Sequence, residues 1–478
     1  MMFASPHYDF RQVKRCLCLL VGAVVLLKVS MGFGAVILSM AVFNALSKKR
    51  PVEALFWVLF MTASSTGNHF VFSTNFVTVM TLRLTLMSLV VLVSAHITAR
   101  GENRTAGLFL GLFAYLGWEA LVSSQGYAPI VSYLKLFLFS TIFLSLFGLA
   151  GSVNDALWVD VRKLRAGILA VVIFMVIGSV LLIPFPSLGM MAVDEEMAKQ
   201  MASGELVSLF RGMCAHSQAL GPIMGVVGTF VFADMVFSIR KWDKLYIILI
   251  LACPFLIYRT SSRTGMGTFI AGVGMTLFML MQSRGVGQRW KNKVMSKAFT
   301  FGFFALVAVL ILPNLRERIA TYALKWGDRE ERQEVTVEGM FNSRQAKIEI
   351  EREGFARKPV TGNGFQVSAE MAHQKRQSFR DYLFAPVEKG VWVYAILEEG
   401  GAVGMSIWVG WLVCLFPRLY RRKSYVMAAT FFAFFMSNTG EFSIFAMTYM
   451  GGFLWALTFA AGTLDIQRNK LEQRMMIG

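Results

Sequence analysis

Long apolar runs separated by short polar connections dominate the chain. Runs of membrane-spanning character lie near Cys16 to Leu46, Val52 to Phe72, Phe76 to Thr98, Ala106 to Val122, Ile130 to Ala150, Ala166 to Pro186 and Ser217 to Ser238. Further runs follow near Leu245 to Tyr258, Thr264 to Met281, Ala298 to Pro313, Val391 to Phe416, Tyr425 to Ser437 and Ser443 to Gly462. A hydrocarbon layer offers no partner to a backbone N–H or C=O, so segments of this kind cross it as helices. The pattern predicts an all-α polytopic membrane protein.

Basic residues set the order of the crossings. They cluster at Lys48-Lys49-Arg50, Arg100/Arg104, Arg162/Lys163/Arg165, Arg240/Lys241/Lys244, the 284–297 segment, Arg418/Arg421/Arg422/Lys423 and Arg468/Lys470. Each cluster falls in an alternate connection, so all share one side, which the positive-inside rule makes cytoplasmic. Arg11, Lys14 and Arg15 join that side only if Cys16 to Leu46 forms two short spans turning near Lys28 to Gly34, which gives about fourteen transmembrane helices within an overall expectation of about 12–14. The first apolar run lacks a small-residue cleavage site and reads as a retained span. Residues 1–205 are then N-terminal transmembrane helices and 206–313 a transmembrane core. A large, partly helical extracytoplasmic loop spans 314–390, and 391–478 hold C-terminal transmembrane helices and a cytoplasmic tail.

The 314–390 stretch is the sizeable polar piece of an otherwise apolar chain. Connections of this length in compact proteins are usually functional or disordered. Asn342-Ser343-Arg344-Gln345 resembles a capping box, and the run to Glu353 is rich in helix formers, with Gly354 as the expected stop. Arg344 and Lys347 share a face of that helix one turn apart, balanced by Glu351. Pro359 and the Gly362-Asn363-Gly364 turn permit a close backbone approach.

Composition narrows the function classes. With 56% hydrophobic and 16% charged residues, no water-soluble core is implied. The net charge of +18 does not point to nucleic acid, because the cations sit at the flanks of apolar runs. Five cysteines show neither C-x-x-C nor metal-site spacing. Walker, G-x-S-x-G and metal-ligand patterns are absent, so neither a metal nor a cofactor is expected.

Ionisable residues inside spans are costly and mark functional sites by default. Lys28, Arg83, Glu119 and Lys135 fall toward the outer ends of their spans, and Arg211, His216, Arg259, Arg263 and Glu441 lie at outer ends. Any one side chain could snorkel to the interface. Several cations converging on one face instead indicate an outward-facing polar cavity suited to an anion.

Four segments, in order, resemble motifs of the O-antigen ligase and polymerase superfamily. Arg211-Gly212-Met213-Cys214-Ala215-His216-Ser217-Gln218 looks like the family's Gly-x-x-x-His-Pro-Asn segment, and Ser262-Arg263-Thr264-Gly265 resembles its Ser-Arg before a small-residue helix. Arg344 stands where the family has a loop arginine, ahead of Pro359 to Gly364, which is similar to Pro-x-x-Gly-x-Gly. Glu399 to Gly404 resembles the Glu-x-Gly-x-x-Gly that re-enters the membrane. The resemblance covers Leu206 to Gly462. It departs at Gly390-Val391, where many ligases carry a His-Asn pair; Glu388 could substitute, or the chain could be a polymerase that does not use the histidine.

The resemblance implies a bacterial inner-membrane, metal-independent, inverting glycosyltransferase of cell-surface polysaccharide synthesis. Its donor would be a polyprenyl-diphosphate-linked glycan and its acceptor a glycan or glycolipid hydroxyl. Membrane lipid surrounds it, and polysaccharide assembly or export proteins are possible partners. In this reading Arg263 and Arg344 stabilise the leaving diphosphate, with Arg211 third, and Glu388 orients or deprotonates the acceptor. His216, Lys135, Arg83, Gly362 and Gly364 line the substrate site. The rival readings are a lipid-linked oligosaccharide flippase or other transporter, and a noncatalytic subunit of a polysaccharide assembly complex. A flippase would carry paired broken helices in two repeated halves, and the sequence shows no internal repeat.

Overall fold

The computed structural model describes residues 8–29, 31–65, 67–68, 106–155, 159–190, 210–283, 286–311, 345–368, 389, 391–440, 443–446 and 450–477. Among the described residues the regular structure is helical, with isolated bridges but no strand. In chain order the helices are α1 (Phe10–Val29), α2 (Met31–Ser47), α3 (Pro51–Ser65), α4 (Ala106–Ser123), α5 (Pro129–Asp155), α6 (Val161–Leu181) and the single turn α7 (Pro186–Gly189). Then follow α8 (Ser217–Asp234, continued by a π-helical turn, Met235–Ile239), α9 (Lys244–Arg259), α10 (Arg263–Gln282) and α11 (Gln288–Ile311). The last four are α12 (Gln345–Arg357), α13 (Trp392–Arg421), α14 (Tyr425–Ser437) and α15 (Met450–Ile477).

Among the described residues, five segments are long and apolar enough to cross a membrane: Pro129–Asn154, Val161–Leu181, Ser217–Ile239, Arg263–Gln282 and Trp392–Arg421. Shorter apolar helices, among them Pro51–Ser65 and Tyr425–Ser437, complete a polytopic all-α membrane bundle. Large apolar side chains such as Val25, Leu121, Phe137, Ile248 and Phe278 remain exposed on its outside, as a lipid-facing surface requires. The first apolar stretch is a hairpin of two helices, and Gly34 on α2 lies against the α1 backbone at Leu27.

α8 is the buried axis of one half of the bundle. Its small residues admit α10 at close range: a Cβ at Gly265 would come within 2.5 Å of Gly221, and one at Gly272 within 2.1 Å of Thr229. Such small-residue seams let membrane helices pack backbone to backbone. The other half packs around aromatic rings, with Trp455 edge-on to Phe143 at 5.1 Å and Phe143 to Phe109 at 5.5 Å.

The basic clusters within the described residues gather at one end. Hydrogen bonds there run from Tyr8 to Asp243, Arg240 to Glu472, Gln467 to Val153, Asn469 to Arg422 and Tyr420 to Gln282. Two of the flank cations turn out to be interior groups. Arg165, fully buried, pairs with Asp234 through Nε at 3.0 Å and Nη2 at 3.3 Å, and the Tyr246 hydroxyl donates to the same carboxylate at 2.6 Å. Arg468 pairs with Asp465 at 3.1 Å, and that carboxylate accepts from the Met427 N–H. The segment expected as a C-terminal tail continues α15 as helix to Ile477.

Two further expectations need correction. Gly354 does not stop α12, which runs on to Arg357. Its missing Cβ serves packing: one built there would lie 2.5 Å from Glu398 Oε1. The final apolar stretch does not open as helix at Ser443: Ser443 and Ile444 donate their N–H groups to Asn438 Oδ1 in a turn.

Candidate functional site

At the opposite end, the 210–216 segment is stitched into place by its own backbone. Arg211 N donates to Gly189 O, Asn68 N to Met213 O, and Asn68 Nδ2 to the Leu188 and Gly212 carbonyls at 2.6 and 2.7 Å. Gly212 has a positive φ of 51°, and a Cβ there would meet Ser179 at 2.8 Å, so the turn requires glycine. Arg211 is thereby held buried at 4% exposure. The Arg259 guanidinium, at the end of α9, lies over the Phe210 ring at 5.8 Å. His216 caps α8, its Nδ1 accepting from Gln218 N at 3.1 Å. Ser262 caps α10 through Gly265 N, which makes the half-buried Arg263 that helix's first residue. Three arginines thus sit beside two helix N-termini, whose unpaired N–H groups and dipoles favour anions.

The second component is a break in α13. Gly401 adopts φ 65°, ψ −166° and interrupts the helix inside the membrane-length segment. A break of this kind strands carbonyls on one side and N–H groups on the other. Here the 358–366 loop takes up both sets. Asn363 N donates to Glu398 O and Gly364 N to Glu399 O, each at 2.9 Å, while Ala402 N donates to Pro359 O at 2.9 Å and Val403 N to Val360 O at 3.3 Å. Trp118 Nε1 closes the set on Gly400 O at 2.8 Å. The loop comes this close because Gly362 and Gly364 take positive φ, 79° and 103°. A Cβ on Gly362 would stand 2.1 Å from Glu399 O. Ser132 donates to Phe365 O at 2.9 Å and Lys135 Nζ to Gln366 O at 3.3 Å, fastening the loop to α5 as well.

Charge is concentrated beneath this loop. Lys389 Nζ meets Glu398 Oε2 at 2.5 Å, Glu399 Oε1 at 3.3 Å and Val367 O at 2.7 Å. Burial by itself would lower the Lys389 pKa, but Glu398, Glu399 and Glu351 outweigh it and hold the ammonium above its ordinary value. Lys389 is therefore a fixed cation rather than a base. Glu119 on α4 adds a third fully buried carboxyl, packed against Gly400.

The two components meet at the turn after α14. Trp392 N, opening α13, donates to Asn438 O at 3.2 Å, and Gly440 lies against Thr264 in the first turn of α10. Of the residues expected from sequence, Arg211, His216 and Arg263 gather at the helix termini, and Lys135, Gly362 and Gly364 at the helix break. Arg83, Arg344 and Glu388 lie outside the described residues, as does Glu441. Lys389 and its partnership with Glu398 escaped the sequence reading, which passed over Lys389 beside Glu388. The signal that was available is a lysine within three residues of a membrane helix that carries two adjacent glutamates. Among the described residues, no group of three His, Cys, Asp or Glu side chains is arranged to hold a metal ion. Compared with protein-family models and with curated proteins, the chain gives no match.

Proposed function

We propose that this protein transfers a glycan from a polyprenyl diphosphate to an acceptor sugar hydroxyl, as an O-antigen ligase or polymerase does. The observation that carries the reading is the grouping of Arg211, Arg259 and Arg263 with the N-termini of α8 and α10, next to a membrane helix opened at Gly401. A diphosphate leaving group needs such an anion site where the lipid tail stays in the bilayer and the sugar stays in water. The acceptor oxygen would attack the anomeric carbon, and the bond from that carbon to the diphosphate oxygen would break with its electron pair passing to the diphosphate. Guanidinium forks bind the charge developing there bidentately, in surroundings of low dielectric. Arg263 takes this role with Arg344, Arg211 assists, and Glu388 receives or orients the hydroxyl proton. The positive-inside rule puts the arginine end outside the cytoplasm.

The order of the four motif-like segments supports the same reading over a flippase. Among the described helices, a single one carries a non-helical break in its interior, whereas transporters of the repeat type use paired breaks. Deleting the coding sequence tests the proposal. Long surface polysaccharide should be lost while short glycan units accumulate on the lipid carrier at the outer face. Unchanged polysaccharide, or units trapped at the cytoplasmic face, would overturn it.

A further inference from the structure

We infer that Glu119 and Glu399 form a membrane-buried proton-binding site, in which one of the two carboxyl groups holds an exchangeable proton. Both side chains are wholly buried, and among the described residues neither oxygen of Glu119 has a hydrogen-bond partner. The Tyr115 hydroxyl, one turn earlier on α4, lies beside Glu119 without forming a hydrogen bond of good geometry. The charges acting on Glu119 from other elements are the Glu399 carboxylate and the Lys389 ammonium. Lys389 is committed elsewhere, closest to Glu398 and the Val367 carbonyl, with Glu399 at the longer distance of 3.3 Å. Lys135 on α5 acts on Glu399 and donates to Gln366 O, and Glu351 on α12 acts on Lys389. Among the described residues, no cation is thus dedicated to Glu119. Two neighbouring buried carboxyl groups with this supply of positive charge cannot both ionise without leaving a charge uncompensated, so one of them holds a proton.

The geometry favours a proton over a metal ion. A sodium ion here would need several oxygen ligands, and the carbonyls exposed by the break at Glu398, Glu399 and Gly400 already accept hydrogen bonds from Asn363, Gly364 and Trp118. The site is also tied to the loop. The main-chain carbonyl of Glu399 holds Gly364 N, and Glu119 Oε1 sits where a Cβ on Gly400 would come within 2.5 Å. Loss of that proton therefore puts like charges directly under the seated 358–366 loop.

Infrared spectroscopy of the purified full chain in detergent tests the inference. The wild-type minus Glu119→Gln difference spectrum should contain a protonated-carboxyl C=O band that shifts in deuterated water and disappears at alkaline pH. A difference spectrum without that band at mildly acidic pH would overturn the inference. A second measurement needs no variant: wild-type protein treated with dicyclohexylcarbodiimide, which reacts with protonated carboxyl groups in apolar surroundings, is digested and its peptides weighed. An adduct on Glu119 or Glu399 that falls as pH rises supports the site. Absence of an adduct on both residues, or protection by sodium but not by choline, would overturn it.

Discussion

Replacing Lys389 by methionine probes the anchor of the helix break. Methionine keeps the length of the side chain and removes the charge, so Glu398 loses a partner at 2.5 Å and Glu399 one at 3.3 Å while both remain fully buried. Removing one partner of a buried ion pair costs about 3–5 kcal/mol, chiefly because the remaining charge is left uncompensated. A loss of about 3 kcal/mol reduces the folded-to-unfolded ratio more than about a hundredfold. The assay is the thermal midpoint of detergent-solubilised protein followed by size exclusion, with limited proteolysis near Pro359 as a local readout of loop seating. Lys389→Met should lower the midpoint by several degrees and speed cleavage at the loop, and adding Glu398→Gln should restore a large part of both. The sign of the pH dependence also follows. With its folded-state pKa raised, Lys389 contributes in full below its unfolded value of about 10.4 and loses that contribution only as pH rises through the folded value. A variant as stable as the wild type, or a double variant worse than Lys389→Met alone, would refute the pairing.

Gly362→Ala should cost about 2–5 kcal/mol, summing left-handed backbone strain with a Cβ that overlaps Glu399 O; Gly267→Ala, in open space on α10, should be neutral or slightly stabilising in the same thermal assay. Asp234→Asn strands Arg165 at 0% exposure and should lower stability by about 3–5 kcal/mol, yet leave activity per folded molecule unchanged, since it lies at the opposite end from the arginines. A reporter fused after Gln333 should behave as extracytoplasmic and one after Arg422 as cytoplasmic, and finding both on one side would overturn the proposed topology.

Much of the bundle was legible because lipid imposes one local rule, an apolar helix per crossing. The hairpin of α1 and α2 followed from Arg11, Lys14 and Arg15 needing the same side as Lys48 to Arg50. Gly362 and Gly364 announced a close backbone approach, and that is their use in the structure. What stayed hidden depends on contacts that sequence spacing does not encode. Lys389 meets Glu398 across the start of α13, outside any helical period. Glu119 meets Gly400 from another helix far back in the chain, and only the tertiary fold makes them neighbours. Arg165 read as one more flanking cation, since nothing local reveals Asp234 opposite it. Gly354 read as a stop, because the glutamate that uses its bare backbone lies on α13.

The proposed role of the arginines at the helix termini is to stabilise a departing diphosphate. Purified wild-type protein and Arg263→Lys, matched for folded amount, should be given a polyprenyl-diphosphate glycan and a sugar acceptor in the presence of a metal chelator, and glycan transfer followed over time. Wild type should transfer, and Arg263→Lys, which keeps the charge but loses the planar fork, should be slower by at least about tenfold, the equivalent of one bidentate contact worth roughly 1.4 kcal/mol in the transition state. Wild-type protein that transfers nothing, or an Arg263→Lys variant that transfers at the wild-type rate, would contradict the account.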